Sequence, residues 1–405
     1  MANKIQYTAE PSGHFHSEPT KYQPKDLKAT EVLLNLGPQH PATHGILRLE
    51  VILDGEVVID VVPHIGYLHR CFEKHAEVLP YNQIIPYVDR LDYLAAMNSE
   101  HAFALGIEQL LGLTGQLPPR VEYIRVLVAE LNRLASHFLA VGTYGVDLGL
   151  PTAFLWLMRD REHILRLLEW VCGARMLYNY IWIGGLFYDL PVGFEQRCSE
   201  LVRYLRPKLA EIDQLLTGNK IFIARTANVG VLPLSLAINY GVSGPMLRAS
   251  GLRLDLRKVD GYSAYPALEF EIPTGQGQMG QVGDCWDRTW VRMQECWASL
   301  SIIEQCLARL MGDLKRTPDF NPQQLVPKKV RTPAQDLYVR AENPRGELGF
   351  FFRATAHGDR PARCKARTPS FANLAVLPAI AKGHLLADLV AIVGSVDIVL
   401  GEIDR

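Results

Sequence analysis

The sequence predicts an α+β fold: a central bundle of long helices, a β-rich N-terminal lobe and a smaller C-terminal α+β portion. Three observations lead there. Between Asp92 and about Lys315, apolar residues recur at helical spacing over long stretches. Ahead of that region, short β-prone runs flank Asp54-Gly55. Beyond Pro318, strand-like alternation returns with turn residues between the runs.

Residues 1–30 are polar, aperiodic and dotted with Pro and Gly, and read as a flexible tail. In the lobe, residues 31–91, Glu31–Leu36, Ile46–Leu53 and Glu56–Val62 read as strands, and Asp54-Gly55 is a two-residue hairpin signal. The bundle covers residues 92–317. There Val121–Val141 places Ile124, Leu127, Val128, Leu131, Leu134 and Ala135 on one face. Phe154–Tyr180, apolar enough to be read as central, and Phe194–Leu216 are further helices. Lys220–Ile223 and Ala267–Ile272 read as short strands. The stripe Trp290, Met293, Trp297, Leu300, Ile303 and Leu307 makes Arg288–Leu314 a core-packed helix. In residues 318–405, Leu337–Ala341, Leu348–Arg353 and Arg363–Arg367 read as strands. A last helix, Leu377–Val393, carries Pro378 in its first turn.

Composition narrows the function classes. The 405 residues are 48% hydrophobic and 21% charged, as in a soluble globular protein with a large core. A net charge of −1 argues against a binder of nucleic acid that works by neutralising phosphates. The longest apolar run, Leu385–Leu400, is interrupted by Asp388 and Asp397, short of the roughly 18 residues of a membrane helix. The N-terminus lacks the apolar middle of a signal peptide. The chain therefore reads as cytoplasmic, with any membrane contact made through a partner. Its seven cysteines include no C-x-x-C pair, which argues against a zinc ribbon or an iron–sulfur site supplied by this chain alone. They read as buried thiols, with Cys71, beside Arg70, the one placed for a lowered pKa.

Chemistry concentrates in Leu36–Tyr93. Gly37-Pro38-Gln39-His40-Pro41-Ala42-Thr43-His44-Gly45 cannot be a helix interior; its prolines and glycines make a stiff loop holding two imidazoles at a strand end. Pro63-His64-Ile65-Gly66-Tyr67-Leu68-His69-Arg70 and Asp89-Arg90-Leu91-Asp92-Tyr93 follow. Histidine and tyrosine at this density suit proton transfer, although each alone has an ordinary structural reading. Metal binding by His40 and His44 has only their spacing in its favour, with no helix and no nearby glutamate. Gly275-Gln276-Gly277-Gln278-Met279-Gly280 fits G-x-G-x-x-G but lacks the βαβ context of a dinucleotide site, and reads as a mobile loop.

These segments, together with Gly244–Gly251 (GPMLRASG) and Gly394–Arg405 (GSVDIVLGEIDR), resemble the quinone-reducing 49-kDa subunit of respiratory complex I, NADH:quinone oxidoreductase. That family is related to the nickel–iron hydrogenase large subunit, and the similarity runs from about Val32 to Arg405. The resemblance implies a hydrogenase-large-subunit-like fold and a quinone as substrate. It makes His44 and Tyr93 the ligands of the two quinone carbonyls, and Asp147 the carboxylate paired with His44. Arg70 matches the family arginine near a terminal iron–sulfur cluster held by a neighbouring subunit. The implied partners are a cluster-bearing, hydrogenase-small-subunit-like subunit, a 30-kDa-type subunit and a quinone-channel membrane subunit. FMN and all clusters would lie in partners, and the chain would sit peripherally on the cytoplasmic side of the inner (plasma) membrane of a proton-pumping machine.

Val399 and Glu402 stand where hydrogenases carry metal-binding cysteines, and neither offers a thiolate. Other departures are Cys71, Leu177 and Trp182, where the family often has Gly, His and Arg. With no titratable group at 177, the cluster's potential should depend only weakly on pH. A full pH-dependent shift in a potentiometric titration of the assembled complex would contradict this. Two rival readings are a non-catalytic hydrogenase-like scaffold subunit of a related membrane-bound oxidoreductase, and a metal-dependent hydrolase using His40, His44, His64 and His69. The intact His44, Tyr93 and Asp147 argue against the first, and the lack of a general-base motif against the second.

Overall fold

β1 (Glu31–Leu36), β2 (Arg48–Asp54) and β3 (Val57–His64) form an antiparallel sheet in that order, in a computed structural model that describes residues 28, 30–39 and 43–405. Asp54 pairs with Val57, so the turn is Gly55-Glu56, one residue beyond the Asp-Gly signal, with Gly55 at φ +63°. Leu49, Val51, Leu53, Val58 and Val61 are buried together against C-terminal helices.

Three helices follow: α1 (Phe72–Val78), α2 (Tyr81–Val88), which buries Tyr81, Ile84, Ile85 and Val88 on one face, and α3 (Ala96–Leu110). Nearly every residue of α3 is buried, including Glu100, His101 and Glu108. Burial on all sides erases the one-faced pattern that marks a surface helix.

The bundle is α4 (Pro119–Asp147), α5 (Pro151–Cys172), α6 (Phe194–Leu216) and α11 (Cys285–Met311), with α4 packed on both α5 and α11. α4 and α11 hold the centre. α5 was expected there, but it ends at Gly173 (φ +81°), well before Tyr180, and leaves Leu155 and Trp156 at the surface. Its apolar residues are numerous, but only one face of them meets α4. The chain from α5 to α6 passes through a two-residue hairpin pair, β4 (Ile181–Trp182) and β5 (Gly185–Leu186).

Short helices α7 (Lys220–Thr226), α8 (Leu234–Asn239), α9 (Pro245–Ala249) and α10 (Leu256–Val259) lead to α11. Lys220–Ile223 is thus helical rather than extended, because the Asn219 side chain accepts the N–H of Ile221 (2.8 Å) and caps it. Ala267–Ile272 pairs with no strand among the described residues. Instead Gln305 of α11 bonds both the N–H (2.9 Å) and the C=O (2.6 Å) of Glu269.

β6 (Gln335–Asn343), β7 (Gly346–Ala354) and β8 (Pro361–Arg367) form the expected second antiparallel sheet, packed over α1 and α3. α12 (Pro369–Ala375), α13 (Leu377–Ala381), α14 (Leu386–Val396) and α15 (Leu400–Asp404) end the chain. The single helix expected over Leu377–Val393 is therefore broken. At the break, Gly383 (φ +84°) gives its N–H to Val58 O, and His384 O accepts the N–H of Val58, both at 2.8 Å, so the edge of β3 captures the segment. The α+β architecture expected from the sequence is borne out. No helix among the described residues is long and apolar enough to cross a membrane.

Candidate functional site

The loop after β1 is wound tightly on itself. Gln39 gives its N–H to the Thr43 hydroxyl (2.8 Å), which donates to Gln39 O (2.9 Å), while Gly45 N–H also reaches Gln39 O (3.2 Å). At Gly37 (φ +84°) a β-carbon would stand 2.4 Å from Leu47 O, so only glycine allows the loop to close. His44 sits half-buried just before β2, with φ +50°, a backbone shape that costs a non-glycine residue free energy and recurs at functional positions. His40 lies outside the described residues. His64 Nε2 is 3.0 Å from Glu50 Oε2 and His69 Nδ1 is 2.7 Å from Asp404 O, so the two are turned to separate partners.

The C-terminal segment stitches together the rest. Asp404 accepts the N–H groups of Gly66 (2.8 Å) and Leu68 (2.7 Å), and Arg405 O accepts that of Arg70 (3.2 Å). The Arg70 guanidinium donates to Arg90 O, in the turn that carries Tyr93. Gly401 is wedged there: an added β-carbon would meet Leu91 O at 2.7 Å, Arg90 O at 2.9 Å and Arg70 Nη2 at 3.1 Å. Burial, then neighbouring Arg90, lowers the Arg70 pKa, while Tyr93 and Asp404 act against that. Burial, with the negative charge of Asp92, raises the Tyr93 pKa, so its hydroxyl keeps its proton. Arg70 and Tyr93 are therefore electrostatic neighbours.

Asp147 is the last residue of α4, and Gly142 and Gly145 before it are helical, with Gly142 packed on Phe154 of α5 and Gly145 on Ala153. Its Oδ2 lies where a side chain at Gly394 of α14 would have to go, 2.9 Å from a β-carbon built there. Its Oδ1 is buried without a hydrogen-bond donor. Burial raises its pKa to about 6. Because α14 packs on both α4 and β3, it connects Asp147 to the sheet from which the His44 loop springs.

Beneath Tyr93 lies a buried ionic group that sequence reasoning missed. Arg345, between β6 and β7, reaches Asp92 (3.3 Å) with Nη1 and Asp397 (3.1 Å) with Nη2, and also donates to the Ser136 hydroxyl. Burial opposes its charge, but Asp397 and Asp92 outweigh that and hold its pKa above the usual value. Glu402 is fully buried. One oxygen accepts Ser370 N–H (3.0 Å) and the other has no donor. Burial, then the nearby Asp92, lifts its pKa to about 8. Arg345 gave almost no signal, since one arginine among turn residues is ordinary; for Asp92 and Glu402 the signal was their place in the family motifs.

The sign of the Glu402 shift gives a test. A carboxyl whose folded pKa is raised contributes stability that is full below its ordinary 4.5 and lost as pH rises through about 8. Glu402→Gln, neutral throughout, should therefore match the parent chain in acid, melt higher than it at pH 7, and lose less stability between acid and alkaline pH. A thermal-shift series of the complex across pH reads this directly. Equal losses in both proteins would show that Glu402 is not the titrating group.

The departures also find places. Cys71 is exposed, at φ +56°, with Sγ 3.6 Å from His69 Nε2, while Cys198, Cys285, Cys296, Cys306 and Cys364 are buried as expected. Trp182 packs on Phe187 and donates its indole N–H to Asn179 O (3.0 Å), a packing role. The Gly275–Gly280 segment, expected to be mobile, is tied down: Gly277 N–H bonds Asp287 (3.0 Å) and Gln281 N–H bonds Asp284 (3.1 Å) at the start of α11. Those two acids would repel a phosphate there.

Comparison with known proteins agrees with this arrangement. The model of the respiratory-chain NADH dehydrogenase 49-kDa subunit family matches residues 147–405. The chain is 75% identical over 406 aligned positions to the NADH-quinone oxidoreductase D-type subunit of Amoebophilus asiaticus, covering all of both. It is 67% identical over 389 to a counterpart in Cytophaga hutchinsonii, covering 96% of this chain and 99% of that one. With the counterpart in Chlorobaculum tepidum it shares 56% over 381, or 94% of each. These relatives and the mixed helix-and-sheet fold define a subunit of an oxidoreductase complex. The chain belongs to the family of the 49-kDa subunit of respiratory-chain NADH dehydrogenase, complex I, and the resemblance read from its motifs is borne out.

Proposed function

We propose that this chain holds the quinone headgroup between His44 and Tyr93 and protonates it as electrons arrive from a cluster in a neighbouring subunit. Quinone reduction consumes two electrons and two protons, so one proton donor at each carbonyl oxygen matches the chemistry. Tyr93, kept protonated by burial and by Asp92, serves one oxygen, and the His44 imidazole serves the other. Asp147 steadies His44 in its proton-giving form, because a nearby carboxylate favours the imidazolium. Arg70, next to Tyr93, faces the partner's cluster, where a cation favours the reduced state. The partners are the cluster-bearing subunit, the 30-kDa-type subunit and the quinone-channel membrane subunit, with FMN and all clusters in the partners. In this reading the chain lies on the cytoplasmic face of the membrane.

The observation that carries this reading is the convergence of Arg70 and Tyr93 on the turn that α15 clamps. His44→Ala and Tyr93→Phe should each cut quinone reductase activity in membranes by about a hundredfold, the usual size of a lost general acid. Assembly, checked by native electrophoresis, should be unchanged. Full activity in both variants would return these side chains to structural roles.

A further inference from the structure

α3 carries two buried glutamates about two turns apart, and both grip the chain between α5 and α6. Glu108 accepts Gly184 N–H (2.7 Å) and is neutralised by Arg125, whose guanidinium lies 2.6 Å away. Glu100 does the same job with a different neighbour. Its Oε2 accepts the N–H groups of Tyr180 (2.9 Å) and Ile181 (2.6 Å), while Asp89, at the end of α2, accepts Asn179 N–H (3.0 Å). Glu100 and Asp89 are both fully buried and hold three consecutive amides, so their carboxyls are neighbours, and no ion pair with a cation reaches either among the described residues. Asp89 Oδ1 and Glu100 Oε1 are buried and accept from no donor among the described residues.

Two neighbouring carboxylates without a cation cannot both stay ionised in a dry site, and neither can bond the other without a proton between them. We propose that Asp89 and Glu100 share a single proton. The acid–carboxylate pair acts as a positioning clamp that holds Asn179–Ile181 against the turn bearing Arg90 and Tyr93. Burial, then the charge of Glu100, raises the pKa of Asp89 well above the carboxylate range, in keeping with the proton residing there. Other titratable groups near the pair are Arg90, Cys172, Tyr178 and Tyr180. Arg90 spends its guanidinium on Pro86 O, and burial holds the other three neutral. The clamp fixes Asn179 in its left-handed shape (φ +48°), from which Trp182 takes its indole bond. The shared proton does not depend on the role proposed for Tyr93; only its relevance to quinone reduction rests on that reading.

Amide hydrogen exchange of the assembled complex, followed by mass spectrometry and corrected for intrinsic rates, tests the clamp. In the parent chain, protection of the Asn179–Ile181 amides should fall about tenfold per pH unit once the shared proton titrates, the slope of one proton. Glu100→Gln and Asp89→Asn each put a permanent amide donor where the proton was. Both should keep neutral-pH protection and lose the alkaline decline, and should one fail to assemble, the other carries the comparison. Asp89→Ala should be poorly protected at every pH. No alkaline decline in the parent chain, or the same decline in the amide variants, would overturn the proposal. Quinone activity in His44→Ala and Tyr93→Phe is read separately, so either idea can fail alone.

Discussion

Replacing Arg345 by leucine should prevent the chain from entering a stable complex. The guanidinium is the only described cation paired with Asp92, and the other cation near Asp397, Arg292, stands 3.8 Å away; both carboxylates are buried. Removing one partner of a buried ion pair leaves uncompensated charge in a low-dielectric interior, at a cost of about 3–5 kcal/mol. That is a large share of the roughly 5–15 kcal/mol by which domains are stable. Arg345→Lys should fail almost as badly, since one ammonium cannot span two carboxylates and the Ser136 hydroxyl with fixed geometry. The measurement is subunit content of membranes on native gels, with thermal stability of whatever assembles. Assembly and melting like the parent's would mean that Asp92 and Asp397 are satisfied some other way. Tyr93 follows Asp92 directly, so any partly assembled variant should also reduce quinone slowly.

Asp147→Asn should do the opposite to stability and much the same to activity. Burial raises the Asp147 pKa from 3.8 to about 6. Stability from this group is thus fully present below pH 3.8 and lost as pH rises through about 6. Asparagine stays neutral, so the variant should melt higher than the parent at pH 7 and equal it in acid. In the proposed mechanism its quinone reduction should nevertheless drop by about tenfold or more, because Asp147 is there the carboxylate that favours the His44 imidazolium. The parent's activity should show an acid limb near pH 6 that the variant lacks. Activity retained in a complex that melts higher would remove Asp147 from the proton path. A group kept at a cost to the fold is what a functional carboxylate looks like.

What could be read in advance follows from which forces act locally. The strands β1–β3 and β6–β8 were visible from their β-prone runs and the turn signals between them, α6 because it buries one face, and α4 and α11 because their apolar residues keep a helical stripe although α4 is buried nearly all round. α3 was not, because its glutamates and histidine look like a surface helix until their partners are known. The Leu377–Val393 helix was overestimated because helical periodicity cannot report that the edge of β3 will bond Gly383 and His384. α5 was overestimated because apolar content does not say which neighbour covers it. At the site, the Gly-Pro-His loop, the Arg70 segment and Asp92-Tyr93 identified themselves by composition and by family motif.

The sequence by itself therefore determined the family, the order of most elements and the side chains proposed to meet the quinone. Residue type and local spacing carry that information without the fold. The tertiary structure decided the rest: that α15 ties Arg70 and Tyr93 to one turn, that Arg345 neutralises Asp92 and Asp397, and that Asp89 meets Glu100. Those pairings cross between elements: Arg345 and Asp92 lie 253 positions apart, Gly66 and Asp404 of α15 lie 338 apart, and Asp89 and Glu100, though close in sequence, lie at the end of α2 and on α3. Charge in a dry interior is decided by which groups become neighbours, and only packing settles that.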